Sequence, residues 1–202
     1  MHGYKMGKIF YIMGKSSSGK DTIYKSIIEH SDLNLKTVVL YTTRPIRDGE
    51  IHGVEYFFTN EETLEQIRQS GNLIELRGYD TIHGVWKYFT VNDNQINLAA
   101  NNYIIIGTLV SYQKLKDYFG EQHLVPVYIE VDDGIRLQRA LDRERAQDVP
   151  KYAELCRRFL ADDQDFSEEN LIKAGITQRF NNKDLKSCLE QIVSYIKADC
   201  DH

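Results

Sequence analysis

Apolar and polar residues alternate in blocks along the chain. Short apolar runs recur at residues 9–13, 37–41, 103–106, 124–131 and, more weakly, 176–180. Between them lie stretches with apolar residues at helical spacing, at 22–28, 110–119, 135–145, 152–161 and 185–196. Short apolar runs read as buried strands, and a repeat of three to four residues reads as an amphipathic helix. Strands alternating with helices predict an α/β fold, a mainly parallel sheet flanked by helices on both faces.

That rhythm breaks between Arg44 and about Asn94. Strand-like pieces at 55–58, 73–76 and 88–91 surround one helix near 61–69, which predicts an inserted α+β lobe over residues 44–94. The core is then 6–43 and 95–202. The charged stretch 139–150 predicts a second, mobile excursion, a helical lid over about 139–158. The acidic run Asp162-Asp163-Gln164-Asp165 reads as a solvated helix end.

Composition narrows the function classes. The chain has 202 residues, 42% of them hydrophobic, enough for one domain with a buried core. A net charge of −5 argues against bulk nucleic-acid binding. No apolar run approaches membrane-spanning length, and no signal-peptide pattern opens the chain, whose first five residues read as a ragged polar start. Cys156, Cys188 and Cys200 are scattered without metal or disulfide spacing, so reduced thiols in a cytoplasm are expected. The thirteen tyrosines read mostly as packing residues.

The strongest chemical signal sits at the end of the first apolar run. Gly14-Lys15-Ser16-Ser17-Ser18-Gly19-Lys20-Asp21 follows a strand and opens a helix, the layout of a GxxxxGK phosphate-binding loop. Its glycines let the backbone wrap an anion, and its amides with the helix N-terminus supply positive charge. Lys20 would reach the β- and γ-phosphates of ATP as a mobile cation. Asp21 stands where Ser or Thr normally ligates magnesium. It reads either as a helix-start residue favoured by the macrodipole, with Thr22 or water serving the metal, or as an oxygen ligand to Mg2+.

Residues 42–58, Thr42-Thr43-Arg44-Pro45-Ile46-Arg47-Asp48-Gly49-Glu50-Ile51-His52-Gly53-Val54-Glu55-Tyr56-Phe57-Phe58, resemble the TTRPxRxGExxGxxYxF segment of the guanylate kinase family. Further similarity lies in Leu73-Ile74-Glu75, in Arg139 and Arg143, in Arg158, and in Asn182 with Asp184. The resemblance implies a P-loop nucleoside monophosphate kinase with core, acceptor lobe and lid, acting on soluble nucleotides as a monomer or homodimer. It implies ATP as donor, held by residues 14–22 and Asn182, with Mg2+. It places Arg44, Arg47 and Tyr56 on the acceptor phosphate, and Arg139, Arg143 and Arg158 over the transferring group. Arg157 beside Arg158 leaves open which of the two serves.

For the base, the resemblance puts Glu75 on guanine's N1–H and 2-amino donor pair. Other base contacts depart: a family serine aligns with Leu40, Tyr-Gly-Ser/Thr aligns with His83-Gly84-Val85, and an acidic residue with Thr108. The expected acceptor is GMP or dGMP, weakly bound. Two alternatives stand beside it. The Gly-Lys-Asp loop ending also resembles ribose 1,5-bisphosphate phosphokinases, and guanylate-kinase-like scaffold domains bind phosphopeptides without catalysis.

Overall fold

The computed structural model describes residues 6–81 and 84–201, so His83 and the start at 1–5 lie outside the described residues. The chain runs β1 (Ile9–Met13), α1 (Lys20–Ile28), β2 (Leu35–Thr37), β3 (Tyr41–Thr42), β4 (Phe57–Phe58), α2 (Glu61–Gln69), β5 (Leu73–Thr81) and β6 (Gly84–Val91). It continues with β7 (Asn102–Ile106), α3 (Leu109–Phe119), β8 (Leu124–Glu130), α4 (Asp133–Arg145), α5 (Tyr152–Asp165), α6 (Glu168–Ala174), β9 (Arg179–Asn181) and α7 (Leu185–Asp201).

Five strands form an all-parallel sheet in the order β2-β7-β1-β8-β9. Every residue of β1 is buried. Its alternate side chains enter two separate cores, as a strand covered on both faces requires. Ile9, Tyr11 and Met13 pack in one core with Leu109, Tyr112 and Leu171. Phe10 and Ile12 pack in the other with Ile23, Ile27, Ile192 and Ile196. Each such side chain stabilises the fold by roughly 1.5–3 kcal/mol of transfer free energy, which fixes the axis that carries the loop at residues 14–19.

A second, four-stranded sheet has the order β4-β3-β6-β5. Its mainstay is the antiparallel β5–β6 hairpin, longer than the pieces expected at 73–76 and 88–91. The helix expected near 61–69 is α2, capped by the Asn60 side chain accepting from the Thr63 amide at 2.8 Å. The single strand expected at 37–41 is instead divided. Leu35–Thr37 pairs with β7 in the first sheet, and Tyr41–Thr42 joins the second. The apolar residues between them, Val38 and Leu40, are buried in the core where the chain passes from one sheet to the other. Sequence also missed α6, a seven-residue helix started by Ser167.

No disulfide forms among the described residues: Cys156 is exposed on α5, Cys200 is partly buried and Cys188 is buried on α7. Burial pushes the Cys188 thiol up to about 11. No helix among the described residues is long and apolar enough to cross a membrane.

Candidate active site

The 14–19 loop leaves the carboxyl end of β1, between the ends of β7 and β8, the crevice where open α/β sheets bind ligands. Gly19 has φ +88°, and a Cβ there would collide with the Asn182 amide group. Ser17 also adopts a positive φ, 63°, which costs a non-glycine residue energy and is found at built sites. The Asn182 amide donates to the Ser18 carbonyl at 2.7 Å. The Oγ atoms of Ser17 and Ser18 and Oδ1 of Asn182 are buried without a partner in the described structure. Buried polar atoms of that kind want a ligand, and a phosphate chain with its counter-cation fits them.

Lys20 opens α1, with Nζ 3.5 Å from the Asp21 carboxylate. Asp21 is 77% exposed in its side chain, and Thr22 is exposed beside it. A carboxylate and a hydroxyl in the first helical turn form a hard oxygen donor set that suits magnesium. Among the described residues, no three His, Cys, Asp or Glu side chains gather into another metal site.

The expected lid arginines converge on the same loop. Arg139 donates through Nη2 to the Asn182 carbonyl at 3.1 Å, and Arg158 donates to Ser16 Oγ at 3.1 Å. Arg143 lines a small cavity of about 30 Å³ together with Ser16, Ser17 and Arg158. Arg157 is occupied elsewhere, paired with Glu154 at 2.7 Å.

Arg136 takes a different place from Arg139 and Arg143. It is 1% exposed and pairs with Asp133 at 2.9 Å, Asp162 at 3.2 Å and Asp163 at 3.2 Å, with its guanidinium 3.9 Å above the Phe159 ring. Burial works to raise the Asp133 carboxyl, but Arg136 and Lys15 outweigh it and hold it below the usual range. The expectation of a solvated end at 162–165 fails for its first two residues. Asp162 accepts from the Ser16 amide at 2.8 Å and Asp163 from Lys15 at 2.6 Å. These carboxylates fasten α5 to the loop.

On the second sheet, Arg44 is 3% exposed and its two terminal nitrogens form a fork with Glu50 at 2.9 and 2.8 Å. Its Nε is buried without a partner in the described structure, and the guanidinium lies 5.6 Å from the Tyr56 ring and 5.4 Å from the Phe58 ring. The Arg44 fork, opposed by desolvation and helped by the Arg47 amide, holds the Glu50 carboxyl below its ordinary value. Arg47 is exposed, 6.0 Å over the Trp86 ring. Burial and Tyr88 push the Tyr56 hydroxyl up, against the lowering pull of Arg77 and Arg44.

Glu75 is 3% exposed and engaged within the protein. It accepts from Arg77 Nε at 3.1 Å and Nη2 at 3.2 Å, and from Thr90 Oγ1 at 2.9 Å. Burial would lower the Arg77 pKa; Glu75 and nearby tyrosines override it, and the net shift is upward. Thr108 N-caps α3 in a capping box with Ser111, and its hydroxyl also accepts from Arg77 at 3.3 Å. Leu40 is in the core and Val85 is half exposed. Arg77 is the residue that sequence reasoning passed over. Its signal was its spacing, two positions beyond Glu75 and therefore on the same strand face.

A parallel sheet whose central strand runs into a GxxxxGK loop and helix is the layout of a P-loop nucleotide-binding protein. Comparison with known proteins is specific about which. The guanylate kinase family model matches residues 6–148. A guanylate kinase of Malacoplasma penetrans is 32% identical over 169 residues, 82% of this chain and 74% of the relative. One from Rhodopirellula baltica is 33% identical over 129 residues, 63% of this chain and 60% of the relative. The crystal structure of guanylate kinase from Anaplasma phagocytophilum shares the fold, with TM-score 0.68 and 16% identity over 96% of this chain and 87% of that one. The chain belongs to the guanylate kinase family, the ATP-dependent nucleoside monophosphate kinases.

Proposed function

We propose that the protein transfers the γ-phosphoryl group of ATP to the phosphate of GMP or dGMP, in the cytoplasm where those nucleotides are held. Family membership supports the reaction class. The observation that carries the site is the loop at 14–19, whose buried Ser17, Ser18 and Asn182 atoms await a ligand while Arg139, Arg143 and Arg158 face the same loop.

In the reaction, an oxygen of the acceptor phosphate attacks the γ-phosphorus, the bond from that phosphorus to the β-phosphate oxygen breaks, and ADP leaves. No general base is required, because the second pKa of a phosphate monoester is near ~6 and the nucleophile is already ionised at neutral pH. Residues 14–19 hold the phosphate chain, and Lys20 reaches the β- and γ-phosphates. Arg139, Arg143 and Arg158 stabilise charge that develops on the transferring oxygens, an effect that grows as water is excluded. Arg44, Arg47 and Tyr56 hold the acceptor phosphate. Asp21 and Thr22 would hold magnesium, which when bound supplies charge neutralisation between the β- and γ-phosphates. The lobe at 44–94 and the lid at about 139–158 would bring the two arginine sets to one phosphate.

The test is ATP-dependent ADP release across a panel of phosphate acceptors. GMP and dGMP should turn over. Release with a sugar phosphate alone would overturn the acceptor assignment, and no release with any acceptor would overturn the enzyme reading.

A further inference from the structure

The face of the second sheet that carries Glu75 is built by cross-strand pairs. Glu75 stands opposite Thr90, Arg77 opposite Tyr88 and Tyr79 opposite Trp86. Tyr88 touches both Tyr56 and Tyr79, with ring centroids 5.6 and 5.7 Å apart, and Tyr56 lies against Arg44. A row of aromatic rings thus joins the phosphate-holding arginine to Arg77 on one face.

Along that row Glu75 is already spoken for. A carboxylate offers about four acceptor sites, and three are filled by Arg77 and Thr90. The remainder cannot take a two-donor edge such as guanine's N1–H and 2-amino group. Thr108, accepting from both Ser111 and Arg77, does not take it either. Arg77 has capacity to spare. Of its five N–H groups, three are used by Glu75 and Thr108, and one on each terminal nitrogen has no partner among the described residues. A guanidinium with two such donors matches a carbonyl beside a ring nitrogen, as the O6 and N7 atoms of guanine present.

We propose that Arg77 reads the acceptor's base through its 6-oxo and N7 acceptors, with Glu75 as the positioning residue that orients Arg77, so that the acceptor class is the 6-oxopurine nucleoside monophosphates, IMP together with GMP. This rests on the kinase reading above. Hypoxanthine has the same O6 and N7 as guanine and lacks only the 2-amino group, which neither Glu75 nor Thr108 is open to read. Adenine presents an amino donor at position 6, which would meet the Arg77 N–H groups head-on.

The test is steady-state kinetics with GMP, IMP and AMP. In the wild type, kcat/KM for GMP and IMP should agree within about threefold, with AMP at least about tenfold lower, the discrimination one bidentate contact supplies. Arg77→Ala releases Glu75 and should raise the GMP-to-IMP ratio about tenfold, through KM rather than kcat. That variant strands a buried carboxylate, so Glu75→Gln is the second arm. With the fork loosened but still present, it should raise KM for GMP and IMP together and keep their ratio within about threefold. A wild-type preference for GMP over IMP of about a hundredfold that collapses in Glu75→Gln would overturn the inference and leave the kinase reading standing. Failure of every monophosphate to turn over would overturn both.

Discussion

Lys20 is the one residue whose loss should separate chemistry from folding. Its ion pair with exposed Asp21, at 3.5 Å, contributes little to stability. Lys20→Met should therefore stay within about 0.5 kcal/mol of wild type in urea unfolding, while turnover falls about 10²–10³-fold or more, as when a transition-state donor is removed. A folded Lys20→Met protein with wild-type turnover would remove the loop from the mechanism. Glu50 gives a prediction in pH. Its folded pKa is depressed by the Arg44 fork, so its contribution to stability is present above the unfolded value of 4.5 and is lost as pH falls through the folded pKa. The stability difference between wild type and Glu50→Gln should accordingly shrink below pH 4.5, read as converging unfolding midpoints. Much of this was legible in the sequence, because residues 14–21 and 42–58 act through local spacing. The Glu75–Arg77 pair was legible in principle too. It was missed because the strand was expected to end at residue 76, whereas β5 continues to Thr81.

Between elements, the decisive contact is the one that ties α4 and α5 to the loop at 14–19. Arg136 holds three carboxylates, two of them on α5, and those two also bind Ser16 and Lys15. Breaking a fully buried ion pair costs about 3–5 kcal/mol. Asp133 and Asp163 remain 51% and 41% exposed, so Arg136→Met should cost less, about 2 kcal/mol, in a urea titration monitored by far-UV circular dichroism. Its KM for ATP should also rise, since Asp162 and Asp163 lose the cation that aligns them on the loop. An unchanged midpoint and KM would show that the carboxylates hold their places unaided. This network was not legible. Asp162 and Ser16 are 146 positions apart, and a run of acidic residues at a helix end looks the same whether it faces water or a folded loop.

For the molecule as a whole, the order of strands and helices was readable because each β1-like run is short, apolar and bounded by amphipathic stretches. The division of 35–42 between two sheets was not. Val38 and Leu40 are buried, like strand residues, in a segment that belongs to neither sheet. A bisubstrate analogue joining donor and acceptor should lower the radius of gyration in solution scattering, because in the proposed reaction Arg44 and Arg47 meet the α4 and α5 arginines at one phosphate. An unchanged profile at saturation would speak against closure of the lobe at 44–94. The three cysteines supply a means to watch α5, in the proposed lid. Cys156 is exposed on α5, two positions from Arg158, while Cys188 is buried with its thiol pushed up to about 11. A maleimide dye should couple first to Cys156 in the unmutated protein. That chemistry makes α5 a natural fluorescent reporter, whose emission should shift when ATP is added and hold still in Lys20→Met if the nucleotide no longer draws the helix in.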